Sequence, residues 1–315
     1  MKLIIVVVFW LVAGSLCAQG DVELYSIIPD WKKGEKRTIT SETVSIIYVS
    51  DTVFQETNVS ATHYIEVIEV EPLIKLRAFQ KQNRVDFETE SVMPGVDKKL
   101  NDLVEELTYA LEEVEFILEF DPELGQVTQL LNEDEVISLM KEAAIIFVNN
   151  LLPEDLTKEE KEKSVAQYEL MVSSFKDQMV QTFVNGINVS LQPYSFNYPI
   201  DGETHSEEIL TYEVNAIDPS VTDPVPAVLH ITGIEEGNSI KVRTTTDYDI
   251  DNILAQLKRT RKNVNLDSEK WNITDESTFS INLNTTWIEE MNSSIECTFE
   301  NIRVLDTTKV VYTED

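Results

Sequence analysis

The run Thr43-Val44-Ser45-Ile46-Ile47-Tyr48-Val49 is rich in β-branched and apolar residues, which pack well on the pleated surface of a strand. Further runs of the same character follow at Tyr64 to Val70, Leu73 to Phe79 and Val85 to Val92. The last of them alternates apolar with acidic residues, which indicates a strand with one wet face. Pro72 and the pair Gln82-Asn83 are predicted to separate the strands. Consecutive strands of this kind predict an antiparallel meander within residues 19–94.

Residues 95–186 change character and are predicted to be mostly helical. Apolar residues recur there at helical spacing, with glutamates on the outer face, at Leu100, Leu103, Val104, Leu107, Leu111 and Val114. A short hairpin is predicted at 116–131, around a turn that contains Pro122 and Gly125. Asn132 with Glu135, and Thr157 with Glu160, have the spacing of capping boxes, which predicts two helix starts.

Residues 187–315 return to strand patterns. Strands are predicted at Ile209 to Ile217, Pro226 to Ile234, Ser239 to Thr246, Thr278 to Trp287, Ser294 to Leu305 and Lys309 to Thr313. A helix is predicted from Asp247 to Lys262. The resulting fold class is α+β, with two antiparallel strand-rich halves flanking a central helical segment whose helices pack on the sheet. Residues 19–315 form either one continuous domain or two domains, and chain length does not decide between them.

The N-terminus has the organisation of a secretory signal. Lys2 precedes an apolar run from Leu3 to Ala13, which is shorter than the roughly 20 residues that a transmembrane helix needs. Small residues follow, and cleavage is predicted after Ala18. Residues 1–18 are therefore expected to be a signal peptide, and the remaining chain to be periplasmic or extracellular. Two alternatives stay open: an uncleaved anchor, and lipidation of Cys17, which the bulky Leu16 before it disfavours.

The composition argues against several classes of protein. The formal net charge is −32, and it becomes −33 when Lys2, the only charged residue of the signal, is removed. Such a charge repels nucleic acids and anionic membrane surfaces. Hydrophobic residues make up 42% of the chain, which is enough for a packed core and too many for a disordered acidic tail. Cys297 is the only cysteine outside the signal, which excludes a disulfide framework.

The sequence contains no recognisable motif for a nucleotide, cofactor or metal, and no catalytic residue is assigned. His63, His205 and His230 have no partners at ligand spacing, so a catalytic or zinc site would have to assemble through tertiary contacts. The segment Asp247 to Asn252 resembles the start of a calcium-binding loop. However, Asn252 and Lys258 stand where that loop requires Gly and Glu, so an acidic helix start explains the segment better.

Three further features have both a structural and a functional interpretation. Tyr194, Phe196 and Tyr198 alternate, which suits a sugar-stacking platform but is more typical of a core strand. Cys297 falls on the same face as its apolar neighbours, which favours a buried thiol over a nucleophile. Glycosylation sequons occur at Asn58, Asn188, Asn272, Asn284 and Asn292. They would be used only in a eukaryotic secretory pathway.

Several short motifs resemble those of uncharacterised exported proteins of the Bacteroidota. Ser15-Leu16-Cys17-Ala18-Gln19 is similar to the ends of their signals, and Trp31-Lys32-Lys33-Gly34-Glu35 to the openings before their first strand. The unit from Phe116 to Val127, followed by Asn132-Glu133-Asp134-Glu135, resembles their strand–turn–strand–helix element. The resemblance implies a periplasmic or envelope location in a diderm bacterium. It carries over no functional residue, because such families have no assigned function.

Three functions are compatible with these patterns. The favoured one is a non-enzymatic periplasmic or envelope protein that binds either a hydrophobic small molecule, enclosed by a sheet and its helices, or an envelope protein partner. The first alternative is a hydrolase whose site brings a histidine beside carboxylates from distant parts of the chain. The second is a structural envelope protein. No cofactor, metal or nucleic acid is expected.

Overall fold

The computed structural model describes residues 10–11, 24–89, 114–151, 157–174, 180, 184, 187–188, 190–199, 202–211, 221, 223–260, 271–299 and 301–314. Its strands are β1 (Trp10–Leu11), β2 (Leu24–Ser26), β3 (Lys36–Val49), β4 (Thr52–Glu69), β5 (Ile74–Thr89), β6 (Glu115–Asp121), β7 (Gln126–Leu130), β8 (Asn197–Pro199), β9 (Thr204–Thr211), β10 (Val225–Glu236), β11 (Ser239–Tyr248), β12 (Trp271–Asn282), β13 (Ile288–Phe299) and β14 (Ile302–Glu314). Its helices are α1 (Glu133–Leu151), α2 (Lys158–Ser174), α3 (Ile250–Thr260) and a short 3-10 helix (Gln192–Ser195).

One 12-stranded antiparallel sheet dominates the structure, in the order β1-β9-β10-β11-β12-β13-β14-β3-β4-β5-β6-β7. The predicted antiparallel sheet is therefore confirmed. β3 pairs with β14 from Arg37 opposite Glu314 to Val49 opposite Ile302, so strands from both ends of the chain share this sheet. β1, which lies in the predicted signal, pairs with the end of β9 at Trp10 and Leu11. β2 and β8 form a separate two-stranded sheet. The boundaries at residues 19, 95 and 187 stay predictions.

The predicted α+β fold with helices packed on the sheet is wrong, because the fold is mostly a single large sheet. Its strands are longer than the sequence patterns suggest. β5 runs straight through Gln82-Asn83, and a register shift in its pairing with β4 at Thr62 and His63 absorbs the irregularity. The run from Ser294 to Leu305 is likewise the end of β13 and the start of β14. The helix predicted over residues 100–114 lies outside the described residues, apart from Val114.

The sheet curls strongly, and one side chain demonstrates this. The indole of Trp31 lies 5.1 Å from the ring of Phe120 on β6 and 4.1 Å from the ring of Trp287, next to β13. β6 and β13 are separated in the sheet by β14, β3, β4 and β5, which would place them roughly 24 Å apart if the sheet were flat. The two regions therefore bend towards each other around Trp31.

The buried core lies inside this curl and comes chiefly from the sheet itself. Every strand from β3 to β14 contributes to one cluster of buried apolar side chains. Leu191, Tyr194, Phe196 and Tyr198 belong to the same cluster, so the segment around the 3-10 helix packs against the sheet from within. Among the described residues of α1 to α3, Val136 belongs to this cluster and Leu139 packs against it, both near the start of α1. This is the physical reason why the helix-packed α+β prediction fails.

Among the described residues, no helix combines the length and the hydropathy that a membrane span requires.

Candidate functional site

The face of the large sheet that carries the buried cluster, which we call the core face, changes character along each strand. On β14 this face begins with Tyr312 and Val310, both buried. Two polar residues, Thr308 and Asp306, come next, followed by Val304, which is half-buried. Since successive side chains of a strand alternate between faces, all of these residues point the same way.

The register shows that neighbouring strands repeat this sequence of zones. Across the sheet a polar row passes from Thr43 to Thr308, Ser293, Ser277 and Thr244, and a second from Ser45 to Asp306, Ile295, Asp275 and Thr246. We call the polar residues of these rows the hydroxyl band: Thr43, Ser45, Thr244, Thr246, Asp275, Ser277, Ser293, Asp306 and Thr308. Ile295 interrupts the band between its two carboxylates. A belt of polar side chains therefore crosses the core face of β3, β14, β13, β12 and β11, between apolar zones of these strands.

The band separates two apolar regions. On one side lies the aromatic core around Trp31. On the other side, the half-buried apolar residues on the core face of β3, β13 and β14 form what we call the distal patch: Ile47, Val49, Phe299, Ile302 and Val304. Cys297, which lies opposite Val304 on the same face, is buried. All five residues of the distal patch are half-buried and belong to neither buried cluster of the described residues. The adjoining ends of β10 to β12 differ, because Ile253 and Leu257 of α3 form a second cluster there with Val225.

Hydrogen bonds tie part of the band together. The hydroxyl oxygens of Thr43 and Thr308 lie 3.0 Å apart. The hydroxyl of Tyr248 donates to Oδ2 of Asp275 at 2.9 Å, and Asp275 is buried, with 7% of its surface exposed. Buried polar groups need such partners, because an unsatisfied one costs about 1–3 kcal/mol.

Asp306 is the exception within the band. Its Oδ1 atom is buried and has no hydrogen-bond partner among the described residues. Burial raises the pKa of the Asp306 carboxyl, and a hydrogen bond from Ser45, which lies opposite, lowers it by less. The side chain therefore presents an acceptor without a donor on the core face.

The structure does not bring the three histidines into one site. His63 lies on the core face of β4, where burial lowers the pKa of its imidazole. His205 of β9 pairs with Glu207 on its own strand, with Nε2 3.0 Å from Oε1. His230 of β10 lies on the opposite face of the sheet, between Ser206 and Asp247. Among the residues described, no group of three or more His, Cys, Asp or Glu side chains is arranged to hold a metal ion.

The other residues considered from sequence have structural surroundings. Tyr194, Phe196 and Tyr198 are buried in the core and are not exposed for sugar stacking. The thiol of Cys297 is buried. Asp249 caps the N-terminus of α3, because its Oδ1 accepts a hydrogen bond from the backbone N–H of Asn252 at 2.9 Å.

Asn188 has a role that its sequon does not suggest. Its amide donates to the carbonyl of Val127 at 3.0 Å and accepts from the N–H of Val127 at 2.6 Å. Val127 lies on β7, the last strand of the sheet, so the Asn188 side chain takes the place of a neighbouring strand.

Sequence reasoning missed the hydroxyl band and the distal patch. On β3, β11, β12 and β14 the signal was present as polar residues two positions apart, such as Thr43 with Ser45, and Asp306 with Thr308. On β3 the opposite face is also apolar at Val44 and Ile46, which hides the alternation. Only the register between strands shows that these polar pairs lie side by side.

No family model and no curated protein matches the chain. Among solved structures, it is similar to lipovitellin, described for its lipid–protein interactions, with 10% identity and a TM-score of 0.43 over 90% of this chain. The chain spans 25% of that protein. An outer membrane channel from Pseudomonas putida F1 matches over 95% of this chain and all of its own length, with 6% identity and a TM-score of 0.19.

Proposed function

We propose that the protein is an exported binding protein that holds an amphiphilic small molecule on the core face of its sheet, at a site that carries out no chemistry on it. The apolar part of the ligand lies over the distal patch, and its polar group meets the hydroxyl band. One observation carries the proposal: the alternation of apolar, polar and apolar zones on a single face, across β3, β12, β13 and β14.

This zoning is the pattern of a small-molecule site. Such sites are lined mainly by apolar side chains, and a few placed polar groups fix the orientation of the ligand. A polar belt within an apolar face is costly unless its groups find partners, and the polar group of a ligand supplies them. The half-buried state of Val49, Val304 and Ile302 leaves apolar surface for the rest of the ligand to cover.

The carboxylates narrow the class of ligand. Asp306 offers an unsatisfied acceptor, so the polar group should be a hydrogen-bond donor, such as a hydroxyl or an amine. Asp275 lies two strands away on the same row, roughly 10 Å from Asp306 given the usual spacing between strands. Two carboxylates at this spacing, in a chain with a net charge of −32, disfavour an anionic head group.

Two measurements test the proposal. First, the protein purified from its own cells without detergent is analysed by native mass spectrometry, where an amphiphile bound in stoichiometric amount is expected. Second, binding of the fluorescent apolar probe N-phenyl-1-naphthylamine is titrated for the wild type and two variants. Val304→Ser alters the core face, whereas Leu305→Ser alters the next residue, which points to the other face.

We expect Val304→Ser to weaken probe binding by roughly threefold to tenfold, as the loss of about 1 kcal/mol of apolar contact implies. Leu305→Ser should leave probe binding unchanged. The absence of both a co-purified molecule and saturable probe binding would refute the proposal. Equal weakening by the two variants would remove the core face as the site.

A further inference from the structure

Ser206, His230 and Asp247 form a connected group on the face of the sheet opposite the core face. They come from three adjacent strands, β9, β10 and β11. The register places Ser206 directly opposite His230. The Ser206 hydroxyl oxygen lies 2.8 Å from Nδ1 of His230, and Nε2 of His230 lies 3.0 Å from Oδ2 of Asp247. This group is independent of the core-face site, because it lies on the other side of the sheet.

The direction of these hydrogen bonds follows from the chemistry of the partners. An ionised carboxylate only accepts, so the Nε2 atom of His230 must carry a proton and donate it to Asp247. In neutral imidazole the other nitrogen is then an acceptor, so Nδ1 accepts from the hydroxyl of Ser206. Asp247 therefore selects the tautomer in which His230 can act as a base towards Ser206.

A hydroxyl that donates to a base, which is oriented by a third group, has the arrangement of an activated nucleophile. The roles of serine, histidine and aspartate in such a group are recognised by geometry and do not depend on their order in the chain. Ser206 is exposed, so a reagent can reach it from solvent. Neighbouring on the same face are Thr204 and Thr232, whose hydroxyl oxygens lie 3.2 Å apart. Whichever of these two hydroxyls accepts that bond retains a proton that it can donate.

We propose that Ser206 is an activated nucleophile, served by His230 and Asp247, that accepts acyl or phosphonyl groups from small activated esters. The Oγ atom of Ser206 forms a bond to the carbonyl carbon, and its proton passes to Nδ1 of His230. The bond from that carbon to the ester oxygen then breaks, and the alcohol leaves with the proton from Nδ1. Water then attacks the acyl carbon and gives its proton to Nδ1 of His230. The bond from that carbon to Oγ of Ser206 breaks, and Oγ takes the proton back from Nδ1.

The surroundings of Ser206 determine which experiment is informative. The guanidinium of Arg243, on β11, is engaged by both carboxylate oxygens of Glu276 at 2.8 Å. The open sheet surface therefore provides little fixed charge for a developing oxyanion, and stabilisation of that charge is usually the largest contribution to turnover. We therefore expect slow turnover but measurable covalent modification. A fluorophosphonate suits this case, because the phosphorus bonds to Oγ and fluoride leaves.

The test measures the rate of fluorophosphonate labelling of the full chain and maps the modified residue by peptide mass spectrometry. We expect labelling at Ser206 and none in Ser206→Ala. His230→Gln should slow labelling by about 10²-fold, the usual contribution of a general base. Asp247→Asn, which leaves the imidazole in place, should also slow labelling.

The chain provides a matched control. His205 is a histidine on the neighbouring strand that pairs with a carboxylate, Glu207, at the same distance of 3.0 Å. His205→Gln should therefore leave the labelling rate unchanged. Labelling at other serines instead of Ser206, or equal rates for His230→Gln and His205→Gln, would overturn the proposal. Near-ultraviolet circular dichroism of each variant establishes that a slow rate reflects chemistry and not unfolding.

Discussion

The indole of Trp31 stacks on the indole of Trp287, with ring centroids 4.1 Å apart and ring planes inclined by 12°. The two residues lie far apart in the chain, one before β3 and the other before β13. Trp287 also donates from Nε1 to Oε2 of Glu35 at 2.8 Å, and the guanidinium of Arg37 lies 4.9 Å from its ring centre. This stacked pair therefore joins the start of the sheet to its C-terminal part and holds the curl closed.

The first prediction concerns this pair. Trp287→Ala should lower the free energy of unfolding by about 3–5 kcal/mol, because a buried aromatic side chain is replaced by a cavity. Urea unfolding followed by circular dichroism measures the change. Ile28→Ala, at an exposed position of the same N-terminal segment, should change the stability by less than about 1 kcal/mol. Similar losses in both variants would show that the stacked pair does not hold the curl.

Features of the fold that depend on residues close together in the chain could be predicted from the sequence, whereas features that depend on distant residues could not. The capping box of Thr157 and Glu160 is local and forms as predicted: Thr157 Oγ1 accepts from the N–H of Glu160 at 3.3 Å, and Oε2 of Glu160 accepts from the N–H of Thr157 at 2.9 Å. Strand character at β3 and β10 was also predictable from β-branched runs. These features need only neighbours within a few residues.

The fold class was not predictable in the same way. The pairing of β3 with β14 joins residues more than two hundred positions apart, and no local pattern encodes it. The Gln82-Asn83 pair has weak strand propensity, yet pairing with β4 keeps β5 continuous. The candidate sites have the same origin, because Ser206 and His230 become neighbours, and Thr43 and Thr308 come to lie opposite each other, only through register.

The second prediction concerns Gly125, in the turn between β6 and β7. Its φ of +64° is unfavourable for any residue with a Cβ atom, and an added Cβ would overlap the backbone carbonyl of Tyr194. Gly125→Ala should therefore cost about 3 kcal/mol or more. Gly237 has nearly the same φ, +65°, but open space around it, so Gly237→Ala should cost only about 1–2 kcal/mol.

The difference between these two alanine variants isolates the contact with Tyr194 from the backbone strain that both share. Thermal unfolding of the two variants side by side measures it. Equal losses of stability would mean that the turn moves away from Tyr194 without cost. They would contradict the close packing of the β6–β7 hairpin against the segment that contains the 3-10 helix.

The third prediction concerns the edge of the sheet at β7. Asn188→Ala removes both hydrogen bonds to the backbone of Val127, which should cost about 1–3 kcal/mol because a donor and an acceptor lose their partners. The uncovered strand edge should also promote association between molecules. Unfolding and light scattering measure the two effects. Asn284→Ala, in the exposed turn after β12, is the matched control and should stay within about 0.5 kcal/mol of the wild type.

The fourth prediction concerns pH and the carboxylate of Asp306. Burial raises the pKa of Asp306 in the folded protein above the value of about 3.9 expected for the unfolded chain. The folded state therefore binds this proton more tightly than the unfolded state. The protonated Asp306 carboxyl therefore makes its full contribution to stability below about pH 4. This contribution is lost as the pH rises through the pKa of Asp306 in the folded protein. At pH 7 the ionised carboxylate weakens the fold.

Asp306→Asn should consequently stabilise the protein at pH 7, and this advantage should shrink as the pH falls towards 4. Urea midpoints at pH 7, 5.5 and 4 test the trend. Glu290 is a control in which the pKa is shifted in the opposite direction. A hydrogen bond from Asn292 holds the pKa of the Glu290 carboxyl below the usual value. Glu290→Gln should therefore lose a small amount of stability at pH 7 and none at low pH. If Asp306→Asn were destabilising to the same extent at every pH, the ionised carboxylate would be a favourable part of the hydroxyl band.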